Sequence, residues 1–449
     1  MKKIFALLLC IPFIFAFAAC GGNKPDTSDA AKAGSVYFLN FKPEVAEIYK
    51  EIAQKYKEET GVDVKIVTAA SNTYETTLKS EIAKKGAPTI FQINGPVGFQ
   101  AWSRYCLDLS DTKLYSYLTD KSLAVRNSDG VFGIPYVVEG YGIIYNNTIM
   151  EKYFSLKDKA VSISDAEDIK SFETLKAVVE DMTKHKKELG IDGVFASTSM
   201  SSGEQWRWTT HLANIPVYYE MKEKGEDSTI LSTLEAKEID FRYSKNFRNV
   251  FDLYVNNSVT EKGLLSGKTV DNSMAEFALG KAAMVQNGNW AWEQIANVKG
   301  NVVKAEDIRY LPIYTGVEGE EKQGICIGTE NYLAINKNAS EQDQKASIAF
   351  LEWLFSSETG KEYVTKKLNF ISPFNTFKDD EKPDDPLAKE IYRWMEKKDV
   401  NNLEWTFNSF PSQQFKDDFG SAVLEYVQGS KDWNHVENTF KNSWKSERK

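Results

Sequence analysis

Between Ser35 and Asn94, short apolar runs alternate with stretches of helical spacing, and this alternation constrains the fold more than anything else in the chain. Val36 to Leu39 reads as a buried strand. Pro43 opens a helix in which Val45, Ile48, Ile52, Ala53 and Tyr56 recur at helical spacing, and Gly61 stops it. Residues 62–67 read as a second strand, Tyr74 to Lys84 as a second helix closed by Gly86, and residues 88–93 as a third strand. Strand, helix and strand in this order predict an α/β fold with a parallel sheet and right-handed crossovers. Ligands of such sheets gather beyond the carboxyl ends of the strands. That places Asn40, Phe41, Gln92 and Asn94 at a candidate site.

The chain has 449 residues, too many for one core, so two lobes are expected. Residues 131–146 read as two extended runs flanking Glu139-Gly140-Tyr141-Gly142, where the glycines permit a sharp bend. From Asn147 the pattern turns mostly helical, over 172–186, 204–213 and 247–255. A strand over 282–286 leads into Asn287-Gly-Asn-Trp-Ala-Trp292. Strands are expected again over 308–313 and 326–335, then a helix over 340–356 with Ser340 as its N-cap. Residues 376–386 form a charged, proline-punctuated connection, and helices run to the end.

Lys2 and Lys3 precede an uncharged run from Ile4 to Ala19, too short to cross a bilayer and suited to a secretory signal peptide over residues 1–19. The following Cys20-Gly21-Gly22 resembles a bacterial lipobox, which implies cleavage before Cys20 and a lipid on its thiol. An ordinary signal peptide cut nearby, with Cys20 incidental, is the alternative. Residues 20–34 then form a flexible tether, and the protein works outside the cell membrane, anchored to it. The net charge of −9 becomes −11 once Lys2 and Lys3 are removed, which argues against nucleic acid as a partner. Only Cys106 and Cys326 remain in the mature chain, and two buried free thiols are expected rather than a disulfide framework. His185, His211 and His435 lack metal-ligand spacing, so neither a metal nor a cofactor is expected. No His-Glu-x-x-His or Gly-x-Ser-x-Gly pattern occurs, and Gly263 to Thr269 is one residue short of a phosphate loop.

Three blocks carry a resemblance: Gly133 to Asn146, Phe277 to Trp290, and Ala349 to Ser356. In type and order they are similar to blocks of the extracellular solute-binding proteins of carbohydrate ABC importers, the family that includes maltose-binding proteins. The resemblance implies a periplasmic-binding-protein-like fold of type II, two α/β lobes with a ligand cleft between them. Residues 35–143 with 309–372 would form the first lobe, and 147–305 with 376–449 the second. It further implies a monomer that catalyses nothing, closes around a sugar and presents it to a membrane permease.

A sugar offers weakly apolar C–H faces and a hydroxyl rim. A cleft for it needs flat aromatics and planar polar groups. Trp290 and Trp292 follow a strand end, with Asn289 beside them. By the family likeness Trp290 stacks on a sugar ring; a helix-start Trp packed into the second lobe is the alternative. The two are two positions apart and cannot share a helix face. Glu139 lies in an apolar run, where a carboxylate must be paired, solvated or used, and Tyr141 goes with it. In Trp206-Arg207-Trp208 one Trp packs and the other faces the cleft, with Trp208 preferred. Trp405, Phe407 and Phe410 form a lid or merely pack. The ligand is expected to be an oligosaccharide, for example a maltooligosaccharide. One rival is an exported glycoside-active enzyme, which needs two carboxylates about 5–10 Å apart, and Glu139 has no partner evident in the sequence. The other is the same fold binding a peptide, polyamine or metal.

Overall fold

The computed structural model of the chain describes residues 34–70, 73–224 and 229–448. The signal segment, Cys20 and all of the tether except Gly34 lie outside these residues. Two six-stranded sheets organise the rest. The first contains β1 (Val36–Asn40), β2 (Val64–Thr68), β3 (Ile90–Asn94), β4 (Val125–Asn127), β5 (Gly130–Pro135) and β11 (Asn331–Ile335), in the order β2-β1-β3-β11-β5-β4. The second contains β6 (Glu139–Asn146), β7 (Gly193–Phe195), β8 (Ala282–Gly288), β9 (Ile308–Leu311), β10 (Gln323–Gly328) and β12 (Asn401–Leu403).

The expected parallel sheet holds for β2, β1 and β3, which are joined through the helices Ala46–Thr60 and Tyr74–Glu81. Beyond β3 the sheet turns antiparallel, because β11 arrives from the far end of the chain and pairs with both β3 and β5. Side chains alternate along β1: Val36 and Phe38 enter one core, Leu39 the other. Helices cover both faces of this sheet, so both of its faces are apolar. The second sheet is likewise buried on both sides, with Tyr141, Ile143 and Met284 on one face and Ile144 and Val285 on the other.

The chain passes between the sheets at Tyr136–Val138, at Thr329–Glu330 and after Ile371, where the Val138 N–H donates to the Ile371 carbonyl at 2.8 Å. These crossings differ from the expected ones. The bend anticipated at Glu139–Gly142 lies three residues earlier, and Gly140 and Gly142 are inside β6. Their lack of a side chain serves packing: a Cβ on Gly140 would overlap Ile391, and one on Gly142 would sit 2.8 Å from the Leu311 carbonyl oxygen. The single strand expected over 326–335 is two strands in different sheets, broken at Thr329–Glu330. β9 and β10 pair with β6, so residues 308–328 contribute to the second sheet, not to the sheet of residues 36–135. Among the described residues no helix is long and apolar enough to cross a membrane. Cys106 and Cys326 are free and buried.

Candidate functional site

β8 carries a gradient of polarity along one face. Met284 is inside the core, Gln286 is next, and Gly288 follows. Gln286 Nε2 donates to the Tyr141 hydroxyl at 3.0 Å and to the Arg207 carbonyl at 3.2 Å. Gly288 leaves room for the Trp290 indole, which folds back onto it; a Cβ there would lie 2.5 Å from Trp290 Cε3. Trp290 is half-buried at the start of the helix Ala291–Ala296. Its ring meets Trp206 at 6.0 Å, Tyr141 at 6.2 Å, His211 at 5.7 Å and Trp405 at 6.5 Å between centroids. Phe407 closes the group, 4.5 Å from His211 and 5.1 Å from Trp405. Tilted and edge-on contacts of this kind hold aromatic walls rigid.

The start of β6 brings a carboxylate to the edge of this wall. Glu139 is 2 % exposed, and its Oε1 accepts from Lys42 Nζ at 2.6 Å. Lys42 follows β1 and is held by Asn40, whose Oδ1 accepts from the Lys42 N–H and whose Nδ2 donates to the Lys42 carbonyl. The Lys42 ammonium lies 5.8 Å from the Trp290 ring centroid and also 5.8 Å from that of Phe370. Burial opposes its charge, yet Glu139 and then Glu44 hold its proton more tightly than an exposed lysine would. Glu330, on the second crossing, is pushed up from 4.5 to about 7 by burial and then by Glu139. Lys416, from the helix Gln413–Val427, is electrostatically coupled to Glu330 and Glu75, and burial lowers it. The Glu139 carboxylate from β6 and the Lys42 ammonium from beyond β1 thus meet beside the aromatic wall, with Glu330 and Lys416 in their electrostatic range.

Several buried polar atoms around this wall have no hydrogen-bond partner among the described residues: Glu139 Oε2, Arg207 Nη1 and Nη2, His211 Nε2, Gln286 Oε1 and Trp405 Nε1. Asn94 Oδ1 and Asn331 Nδ2, opposite each other across β3 and β11, share this property. Buried polar groups are normally satisfied, and these donors and acceptors around one aromatic wall are of the kind that pairs with hydroxyl groups. Burial, followed by the neighbouring Arg207, holds His211 well below its ordinary pKa, so its ring is neutral. A hollow of about 350 Å³ elsewhere differs: charged groups line it, Lys366 and Lys389 pairing with Asp384, and Arg393 with Glu390 and Glu167.

The sequence-derived residues separate into two groups. Trp290, Glu139, Tyr141 and Trp405 converge, and Asn94 lies at the near end of the first sheet. Trp208 does not join them. It is fully enclosed, donates from Nε1 to the Thr198 carbonyl at 2.7 Å and packs on Phe251 and Tyr254. Trp206 takes the place expected of it. The Arg207–Leu212 turn is a π-helix, whose wider winding displaces side chains from ordinary helical phase. Asn40 is consumed by the turn it makes with Lys42. Phe41 packs against Tyr74 at 5.1 Å, and its N–H donates to Gln92. Asn289 Oδ1 accepts from the Gly140 N–H at 2.9 Å, so it ties β8 to β6. Trp292 packs on the opposite core, with Ile144 and Ile295. Phe410 packs against Phe415 and Trp444. Lys42, His211 and Glu330 belong to no motif, and Gln286 and Arg207, though inside quoted stretches, were not singled out; the five come together only through tertiary structure.

Known proteins are similar over nearly the whole chain. A multiple sugar-binding protein of Streptococcus mutans serotype c is 21% identical over 426 residues, covering 91% of this chain and 90% of that protein. A solved chitin oligosaccharide binding protein superposes with a TM-score of 0.70 at 17% identity, covering 93% of this chain and 99% of its own. The solute-binding protein RafE in complex with raffinose gives 0.69 at 17% identity, over 92% of this chain and 100% of its own. The family model for bacterial extracellular solute-binding proteins matches residues 51–391. With a mixed α/β fold of two sheets and a match over most of its length, the chain belongs to the bacterial extracellular solute-binding proteins.

Proposed function

We propose that this protein captures an oligosaccharide outside the cell and delivers it to the permease of an ABC importer. The observation that carries this reading is the wall of Tyr141, Trp206, Trp290 and Trp405, ringed by the unpartnered polar atoms of Glu139, Arg207, His211 and Gln286. Flat rings suit the C–H faces of a sugar, and the polar atoms suit its hydroxyl rim. The first sheet with its helices forms one lobe and the second sheet the other, hinged at the three crossings. Ligand bound to both halves stabilises the closed form, as in other hinge-closing proteins. Sugar-binding relatives and a raffinose complex among the solved neighbours support the ligand class. The working form is a monomer held at the outer face of the membrane by a lipid on Cys20, and it performs no catalysis.

The glycoside-active alternative has one observation in its favour: Glu330 and Glu139 do interact across the crossing, and Glu330 retains its proton up to about pH 7. Glu139 is nevertheless tied to Lys42, which removes it as a free nucleophile. Calorimetry of the full chain against raffinose, maltotriose and chitotriose, with putrescine and divalent ions as controls, tests the proposal. Binding of a sugar that is lost in Trp290→Ala supports it. Binding of the controls alone, or release of cleaved product over hours from labelled oligosaccharide, overturns it.

A further inference from the structure

Among the described residues several buried charges have close partners, and Arg207, beside the aromatic wall, lacks one. Lys42 meets Glu139 and Lys361 meets Glu381. Glu220 accepts two backbone N–H groups, and Glu320 accepts three. The side chain of Arg207, only 2 % exposed, makes a single hydrogen bond, from Nε to the Gln286 carbonyl at 3.0 Å. Nη1 and Nη2 have no acceptor, and no carboxylate of the described residues forms an ion pair with it. Glu204 and Asp271 act on it only from a distance. Its guanidinium stacks 4.4 Å from the Trp206 ring, and Trp206 in turn faces Trp290 at 6.0 Å. His211, four residues on, points an unpartnered Nε2 into the same wall.

A buried cation left without a counter-charge costs several kcal/mol. Sugar hydroxyls would satisfy the hydrogen bonds of Nη1 and Nη2 but not the charge. A carboxylate satisfies both, through two parallel N–H···O bonds that match the planar fork. The acidic groups of the site do not oppose this placement. Glu139 is neutralised by Lys42 at the start of β6, and Glu330 sits with it on the crossing, whereas Arg207 sits under Trp206 against β8. We propose that Arg207 receives a carboxylate of the ligand, so that the preferred oligosaccharide contains a uronic acid unit seated at the Trp206 end of the wall. This inference rests on the saccharide reading above and narrows it.

Calorimetry with matched trisaccharides tests it: galacturonate against galactose trimers and glucuronate against glucose trimers, at constant ionic strength. In at least one pair the acidic member binds the wild-type protein tenfold or more tightly than the neutral one. Arg207→Gln brings that ratio close to one, and Arg207→Lys, which keeps the charge but not the fork, leaves it intermediate. Circular dichroism melting establishes that the variants are folded; if Arg207→Gln is not, the wild-type ratio decides alone. Neutral members that bind as tightly as acidic ones in every pair overturn the inference but leave the saccharide reading standing. So does an acid preference that survives in folded Arg207→Gln. Failure of every trimer to bind overturns the inference, and failure of raffinose and chitotriose as well overturns the saccharide reading with it.

Discussion

Gly288→Ala isolates the seat of Trp290 without replacing any group that would meet the ligand. The new Cβ would stand 2.5 Å from Trp290 Cε3 and closer still to the outer atoms of the ring, while ordinary contact begins at 3.4 Å. The indole must therefore retreat by about 0.9 Å or more. Overpacking of this kind costs about 1–3 kcal/mol. The backbone at Gly288 lies in β8 and is not among the glycines with positive φ, so alanine brings no conformational strain of its own. The obstacle is the far end of a half-buried side chain, which swings more easily than β8 shifts. The cost should thus fall on ligand affinity, as a loss of roughly 5- to 150-fold in Kd, with the melting temperature of the unliganded protein lowered by only a few degrees. Titration calorimetry gives the first quantity and differential scanning calorimetry the second. An alanine variant that binds with unchanged affinity would show that the position of the Trp290 ring is irrelevant to binding, and the aromatic wall would lose its assigned role.

Three further outcomes follow from the same structure. Trp206→Ala should weaken ligand binding at little cost to stability, whereas Trp208→Ala, which empties an enclosed core site, should destabilise the protein by about 3–5 kcal/mol in urea denaturation; equal stability losses would contradict the placement of the two rings. Lys42→Met leaves the Glu139 carboxylate buried without its partner and should cost about 3–5 kcal/mol, much of it restored by adding Glu139→Gln. Glu330 holds its proton more tightly folded than unfolded, because burial and then Glu139 penalise its charge and outweigh Lys42 and Lys416, with Glu44 adding to the penalty. The folded state then binds more protons between about pH 4.5 and 7, so this group lowers stability as pH rises through that window. Melting temperatures of Glu330→Gln should decline less than wild type over those pH values, and parallel curves would refute the coupling.

The alternation of strands and helices between Ser35 and Asn94 was legible because each element is local and its apolar period is strong. Trp290, Glu139 and Tyr141 come together for a related reason: Glu139 opens β6, Trp290 follows the end of β8, and Tyr141 pairs with Gly288 between these strands. Trp208 was preferred to Trp206 with nothing in the sequence to separate them; the fold encloses Trp208 and leaves Trp206 half-buried. The break at Thr329–Glu330 was hidden inside a run that reads as one strand, since its two halves pair in different sheets and only tertiary contacts separate them. Asn40 and Asn289 looked like ligand groups by residue type, yet backbone amides in the fold occupy their oxygens. Arg207 and His211 left no trace in spacing or composition, because their significance lies in partners they lack.

A crystal structure of the protein with its tightest-binding saccharide tests the central claim most directly. The account predicts a sugar ring lying flat on the Trp290 indole, with hydroxyls within hydrogen-bond reach of Glu139 and His211 and groups from both sheets around it. A saccharide bound elsewhere on the surface, with Trp290 still covered only by its aromatic neighbours, would contradict it.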